Sequence, residues 1–188
     1  MFESFKKKVN ETLHHDVYKI VENSLVLEER AGGDFTKNYF VDCRISKYNK
    51  LIVFRPDEVK KKAQYIKMNP PKDCDYIVVD LEKEIIFIIE LKKSSDTSTP
   101  AEVRLQLLAG KKWFEHILFV LGFNTNLNDY LCIPIHCAVD ARQDRRTDMK
   151  PNNNVFKRNG NKLDLLEFTL KCGNRINKVD KITFSEFI

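Results

Sequence analysis

No apolar run in this chain reaches the roughly 18 residues that a membrane-spanning helix requires, so no membrane partner is expected. The opening Met1-Phe2-Glu3-Ser4-Phe5-Lys6-Lys7-Lys8 lacks the apolar segment of a secretory signal, which points to a cytoplasmic protein. The five cysteines (Cys43, Cys74, Cys132, Cys137 and Cys172) are odd in number and scattered. They make no disulfide framework and read as buried thiols of a reducing compartment. Cys132, His136 and Cys137 lie close together, but strand alternation turns Cys137 away from the other two, which argues against a zinc site. Internal repeats and low-complexity segments are also missing. What is present is ordinary globular material: 43% hydrophobic and 31% charged residues in 188, enough for one domain spanning the chain. The net charge of +5 permits contact with nucleic acid without demanding it.

Apolar residues Phe5, Val9, Leu13, Val17, Ile20, Val21 and Leu25 recur at three- and four-residue steps, which predicts an amphipathic helix over residues 3–28. Gly32-Gly33 ends it, and strands follow near 38–46 and 51–54. Pro56 opens an irregular connection that Pro70-Pro71 closes. Two further strands are expected over 74–79 and 84–92, the second apolar on both faces and therefore central in a covered sheet. The polar link between them, Asp80 to Lys83, is short enough only for a hairpin. Thr99-Pro100-Ala101-Glu102 is a capping box with proline at the first helical position, and predicts a helix to about Leu118. A strand over 130–139 follows, then a polar stretch over 140–154. Asn159-Gly160 marks a hairpin turn before strands near 162–171 and 179–187. The expected fold class is mixed α/β: a central mixed sheet with an antiparallel hairpin, flanked by helices, with a core of about 10–140 and the strands of 155–188 as an extension.

A hairpin centred on Glu82-Lys83 sets Asp75 opposite Glu90, their Cβ atoms about 5 Å apart. Lys92, two residues on, projects from the same face as Glu90. Two carboxylates held this way repel one another and resist desolvation, and a hard divalent cation between them removes that cost. A cation so placed lowers the pKa of a bound water and stabilises charge on a phosphate. Asp73 falls on the Asp75 face opposite Lys92, in position to pair with it.

With these residues in hand, the segment resembles the PD-(D/E)xK nuclease superfamily, which includes restriction endonucleases and Holliday-junction resolvases. The pattern is Asp75, then Glu90-Leu91-Lys92 at the end of the next strand, within a similar order of helix, strands, hairpin and helix. Cys74 stands where the family usually has proline. The resemblance implies a restriction endonuclease-like core, with Mg2+ (Mn2+ in substitution) held by Asp75, Glu90 and the Leu91 carbonyl, and Lys92 assisting the attacking water. Relatives often place a glutamate of the first helix at the metal and a polar residue on the helix after the lysine. Glu22 and Gln106 are the matching candidates here, each with a solvated surface role as its alternative. His14-His15 read as the polar face of the first helix, not as metal ligands.

Lys93, Arg104, Arg142, Arg145 and Arg146 are candidate nucleic-acid contacts, the last three in a long polar loop where lids and phosphate contacts are often found. The functional expectation is a metal-dependent nuclease with DNA favoured over RNA, in restriction, phage defence, toxin action or recombination, as a homodimer or beside a partner subunit. The rival is a nucleic-acid-binding or protein-interaction module on the same fold without catalysis.

Overall fold

In the computed structural model, residues 2–29, 39–44, 50–63, 72–93, 99–140, 156–162, 165–171 and 178–183 are described. Helix α1 (Phe2–Thr12) is followed by strands β1 (Tyr18–Val21), β2 (Ser24–Glu29), β3 (Tyr39–Arg44) and β4 (Leu51–Phe54). Helix α2 (Pro56–Ala63), strands β5 (Tyr76–Asp80) and β6 (Ile85–Lys93), and the long helix α3 (Pro100–Val120) come next. A short 3-10 turn (Leu127–Asp129) leads into β7 (Leu131–Asp140), and β8 (Phe156–Lys162), β9 (Leu165–Lys171) and β10 (Lys178–Thr183) are the last described elements. Among the described residues, no helix is long and apolar enough to cross a membrane.

The described strands form two sheets. Seven lie in the order β1-β4-β5-β6-β7-β9-β8, and three in the order β10-β3-β2. The large sheet is mixed: β1, β4, β5 and β6 pair antiparallel, β6 with β7 and β7 with β9 pair parallel, and β8 returns antiparallel on β9. The parallel β6–β7 pair is joined through α3, the crossover that parallel strands require. One face of the large sheet carries Ile52, Phe54, Ile77, Val79, Ile86 and Ile88 against Phe5 and Val9 of α1 and Val103, Leu107, Phe114, Ile117 and Leu118 of α3. The other carries Val53, Tyr76, Val78, Phe87, Ile89 and Leu91 against Leu25, Leu27, Val41 and Cys43 of the small sheet. Strands covered on both sides are apolar throughout, which is why β4 and β6 show unbroken hydrophobic runs.

Three expectations are corrected. The helix expected over 3–28 stops at Thr12, and Tyr18–Val21 and Ser24–Glu29 form two strands instead. Within β2, buried Leu25 and Leu27 flank exposed Val26, the two-residue period of a half-buried strand. Pro56 opens α2 and not an irregular link: proline suits a first helical turn, Asp57 and Glu58 follow it, and Lys60-Lys61-Lys62 occupy the last turn, as the helix dipole favours. Asn159-Gly160 is not a turn. It sits inside β8 at an irregularity in its pairing with β9, between Arg158 and Asn161.

The hairpin forms as expected. Asp80 Oδ1 accepts hydrogen bonds from the Glu82 and Lys83 N–H groups at 3.0 Å each, and Glu84 takes a positive φ of 57° to close the turn. Every β5–β6 partner pair from Tyr76↔Ile89 to Asp80↔Ile85 keeps the expected register, and the ladder stops at Tyr76, one residue short of Asp75.

Candidate active site

The site lies where β4 and β6 end and β5 begins. Strand alternation continues the helix-facing series Ile86 and Ile88 into Glu90 and Lys92. Glu90 is fully buried, and its carboxylate forms an ion pair with the Lys92 ammonium, whose side chain is 13% exposed. So short a sequence separation across one strand face makes the pair local to β6.

Asp75 stands one residue outside β5, and its N–H donates to the Ile89 carbonyl at 3.0 Å. Cys74 and Ile77 then both face the helices, so strand alternation is broken at Asp75. The Asp75 carboxylate accepts the Leu91 N–H at 2.7 Å. A strand residue's N–H and C=O leave the same side of the strand, so the Leu91 carbonyl opens toward the Asp75 side as well. Asp75 Oδ, Glu90 Oε and the Leu91 carbonyl oxygen are hard donors of the kind that Mg2+ takes.

Burial pushes the Asp75 carboxyl up to about 6, although the Leu91 N–H and the Lys92 and Arg55 charges act the other way. Burial also drives the Cys74 thiol well above its ordinary value, and the Glu90, Asp75 and Asp73 charges add to this in that order. Three carboxylates therefore act on one buried sulfur. Among the described residues, the cations ion-paired within this group are Lys92, with Glu90, and Lys60, with Asp73.

Asp73 does not pair with Lys92 as the sequence suggests; its partner is Lys60 of α2. Gln106 is buried on α3 and its Nε2 donates to the Asp73 carbonyl at 3.4 Å. One helical turn further, Gly110 packs against Cys74 and Ile88, where a Cβ would lie 2.9 Å from Ile88 Cγ2. A turn of helix and two strand residues both advance about 6 Å, so Gln106 lies over the level of Glu90. Its surface alternative is set aside.

Other candidates fall elsewhere. Glu22 is exposed in the link between β1 and β2 and pairs with Lys50 at 3.4 Å. Lys50 accepts the Leu81 N–H through its carbonyl, so Glu22 belongs to the opposite end of the sheet from Asp75. Arg104 is exposed on α3, Lys93 ends β6, and Arg142, Arg145 and Arg146 lie outside the described residues. His14-His15 follow α1; each ring lies 3.2 Å from an Asp16 oxygen, and Lys62 also bonds Asp16. This exposed group is remote in character from the buried one. Cys132 and Cys137 face opposite sides of the sheet.

Two residues stand at the site that the sequence does not assign to it. Lys60 reaches Asp73 only through the packing of α2, which the sequence does not show. His136 is set beside Glu90 by the parallel β6–β7 register, which sequence does not fix. No family model, curated protein or solved structure matches the chain.

Proposed function

We propose that this protein is a magnesium-dependent nuclease that hydrolyses phosphodiester bonds, with Asp75, Glu90 and Lys92 as its catalytic residues. The observation that carries the reading is the meeting, where β5 begins and β6 ends, of half-buried Asp75, whose carboxylate accepts the Leu91 N–H, with fully buried Glu90 and its Lys92 partner. Asp75, Glu90 and the Leu91 carbonyl would hold Mg2+. A bound divalent ion supplies an acidified water and charge stabilisation at a phosphate. Lys92 presents an ammonium beside Glu90, where it orients the attacking water and offsets charge that develops on the phosphate. Full burial of Glu90 strengthens its interaction with Lys92 and with a bound cation. The element order α1, β4, β5, β6, α3, β7, with the acid before β5 and the Glu-Leu-Lys motif on β6, supports a restriction endonuclease-like core. Incubation with plasmid, single-stranded DNA and RNA, each in Mg2+, Mn2+ or chelator, tests the reading and ranks DNA against RNA.

A second reading has its own observation. Asp75 is satisfied by the Leu91 N–H, and Glu90 by Lys92. A cluster compensated in this way holds together without a cation, as expected of a binding module that has no catalysis. Calorimetric titration with Mg2+ separates the two, since only the first requires a saturable site lost on substitution of Asp75.

A further inference from the structure

Three successive residues, Asp73, Cys74 and Asp75, are each fixed by a different contact. The Asp73 carboxylate forms an ion pair with Lys60 of α2, the two side chains only 7% and 12% exposed. Its carbonyl takes the Gln106 amide from α3. Cys74, 2% exposed, fills the gap left by Gly110. Asp75 is then held by Ile89 and Leu91 of β6. The ladder of β5 begins only at Tyr76, so these contacts take over the work of strand pairing in the segment that carries Asp75.

The ion pair is the part that the fold could most easily do without. A buried salt bridge contributes little net stability, because the desolvation of both charges offsets their attraction. What it does supply is direction: one ammonium on a short helix fixes one carboxylate, two residues from the candidate ligand. We infer that Lys60 and Asp73 are positioning residues, a clamp from α2 that sets the Asp75 carboxylate for cation binding. The inference rests on the metal-dependent reading of the site. Partners outside the ligand shell commonly alter metal affinity by about 10- to 100-fold, and the clamp belongs in that range.

The test uses the full chain and Mg2+ alone as probe, with affinity read by calorimetry and the Asp75 N–H followed by hydrogen exchange in metal-free protein. Lys60→Met and Asp73→Asn should each weaken Mg2+ binding by about tenfold and speed exchange at Asp75. The double variant, which strands neither charge and so guards against misfolding, should bind no more weakly than either single one. Lys60→Arg should restore most of the affinity. If all variants bind Mg2+ as the wild type does and exchange alike, while only melting temperatures fall, the pair is structural and the inference is overturned. A wild type that binds no Mg2+ instead removes the reading on which the inference stands.

Discussion

The Leu91 N–H donates to the Asp75 carboxylate at 2.7 Å, joining the residue before β5 to the middle residue of the Glu-Leu-Lys motif. From sequence, Asp75 and Glu90 look like two opposed anions whose removal relieves strain. The structure gives each a protein partner, and that reverses the expected effect of truncation. Asp75→Ala leaves the buried Leu91 N–H without its acceptor and should cost about 1–3 kcal/mol. Asp75→Asn keeps an acceptor oxygen and should retain most of the stability while losing Mg2+ binding. Chemical denaturation in chelator and calorimetry in Mg2+ check both; equal stability for Asp75→Ala and the wild type would contradict the assignment.

The same carboxyl makes metal-free stability depend on pH. Its value in the folded protein, about 6, lies above that of an unfolded aspartate, about 3.9. The folded state therefore binds this proton more tightly, and stability falls as pH rises. The contribution is fully present below about pH 4 and is lost as pH passes through 6. In chelator, the wild type should gain stability relative to Asp75→Asn between pH 7.5 and pH 5. Denaturant midpoints of the two proteins at those pH values measure it, and a difference unchanged by pH contradicts it.

Gly110→Ala tests the packing of α3 on the segment before Asp75. A methyl group there meets Cys74 Sγ and lies 2.9 Å from Ile88 Cγ2. Overpacking of this kind typically costs about 1–3 kcal/mol, or roughly 2–4 °C in melting temperature per kcal/mol for a chain of this size. A thermal melt no lower than the wild type's would show that the helix can shift without cost.

Glu22→Ala should leave Mg2+ affinity unchanged, because Glu22 is exposed beside Lys50 at the far end of the sheet. A loss of affinity, measured by calorimetry, would place Glu22 in the metal site after all.

The hairpin and the start of α3 were legible in the sequence because local rules decide them. A four-residue polar link admits one register, and Thr99 with Glu102 forms the reciprocal capping box, with the Thr99 N–H donating to Glu102 Oε2 at 2.6 Å. The expected first helix ends early because Ile20, Val21 and Leu25 satisfy a three- and four-residue spacing while lying on strands. Both periods fit such a short apolar run, and tertiary pairing chooses between them. Asp75 and Glu90 could be found from register. The Lys60 partnership and the approach of His136 to Glu90 could not, because they depend on helix packing and on a parallel register set by a long crossover.

The central claim is that Asp75 and Glu90 serve metal-dependent cleavage. Its most direct measurement is single-turnover cleavage of labelled DNA and RNA by the wild type, Asp75→Asn and Glu90→Gln, in Mg2+ and in excess chelator. The account predicts cleavage by the wild type in Mg2+ alone, and turnover lower by several orders of magnitude in both variants. No cleavage of either substrate by the wild type in Mg2+, cleavage that persists in chelator, or variants that cut at the wild-type rate would contradict it.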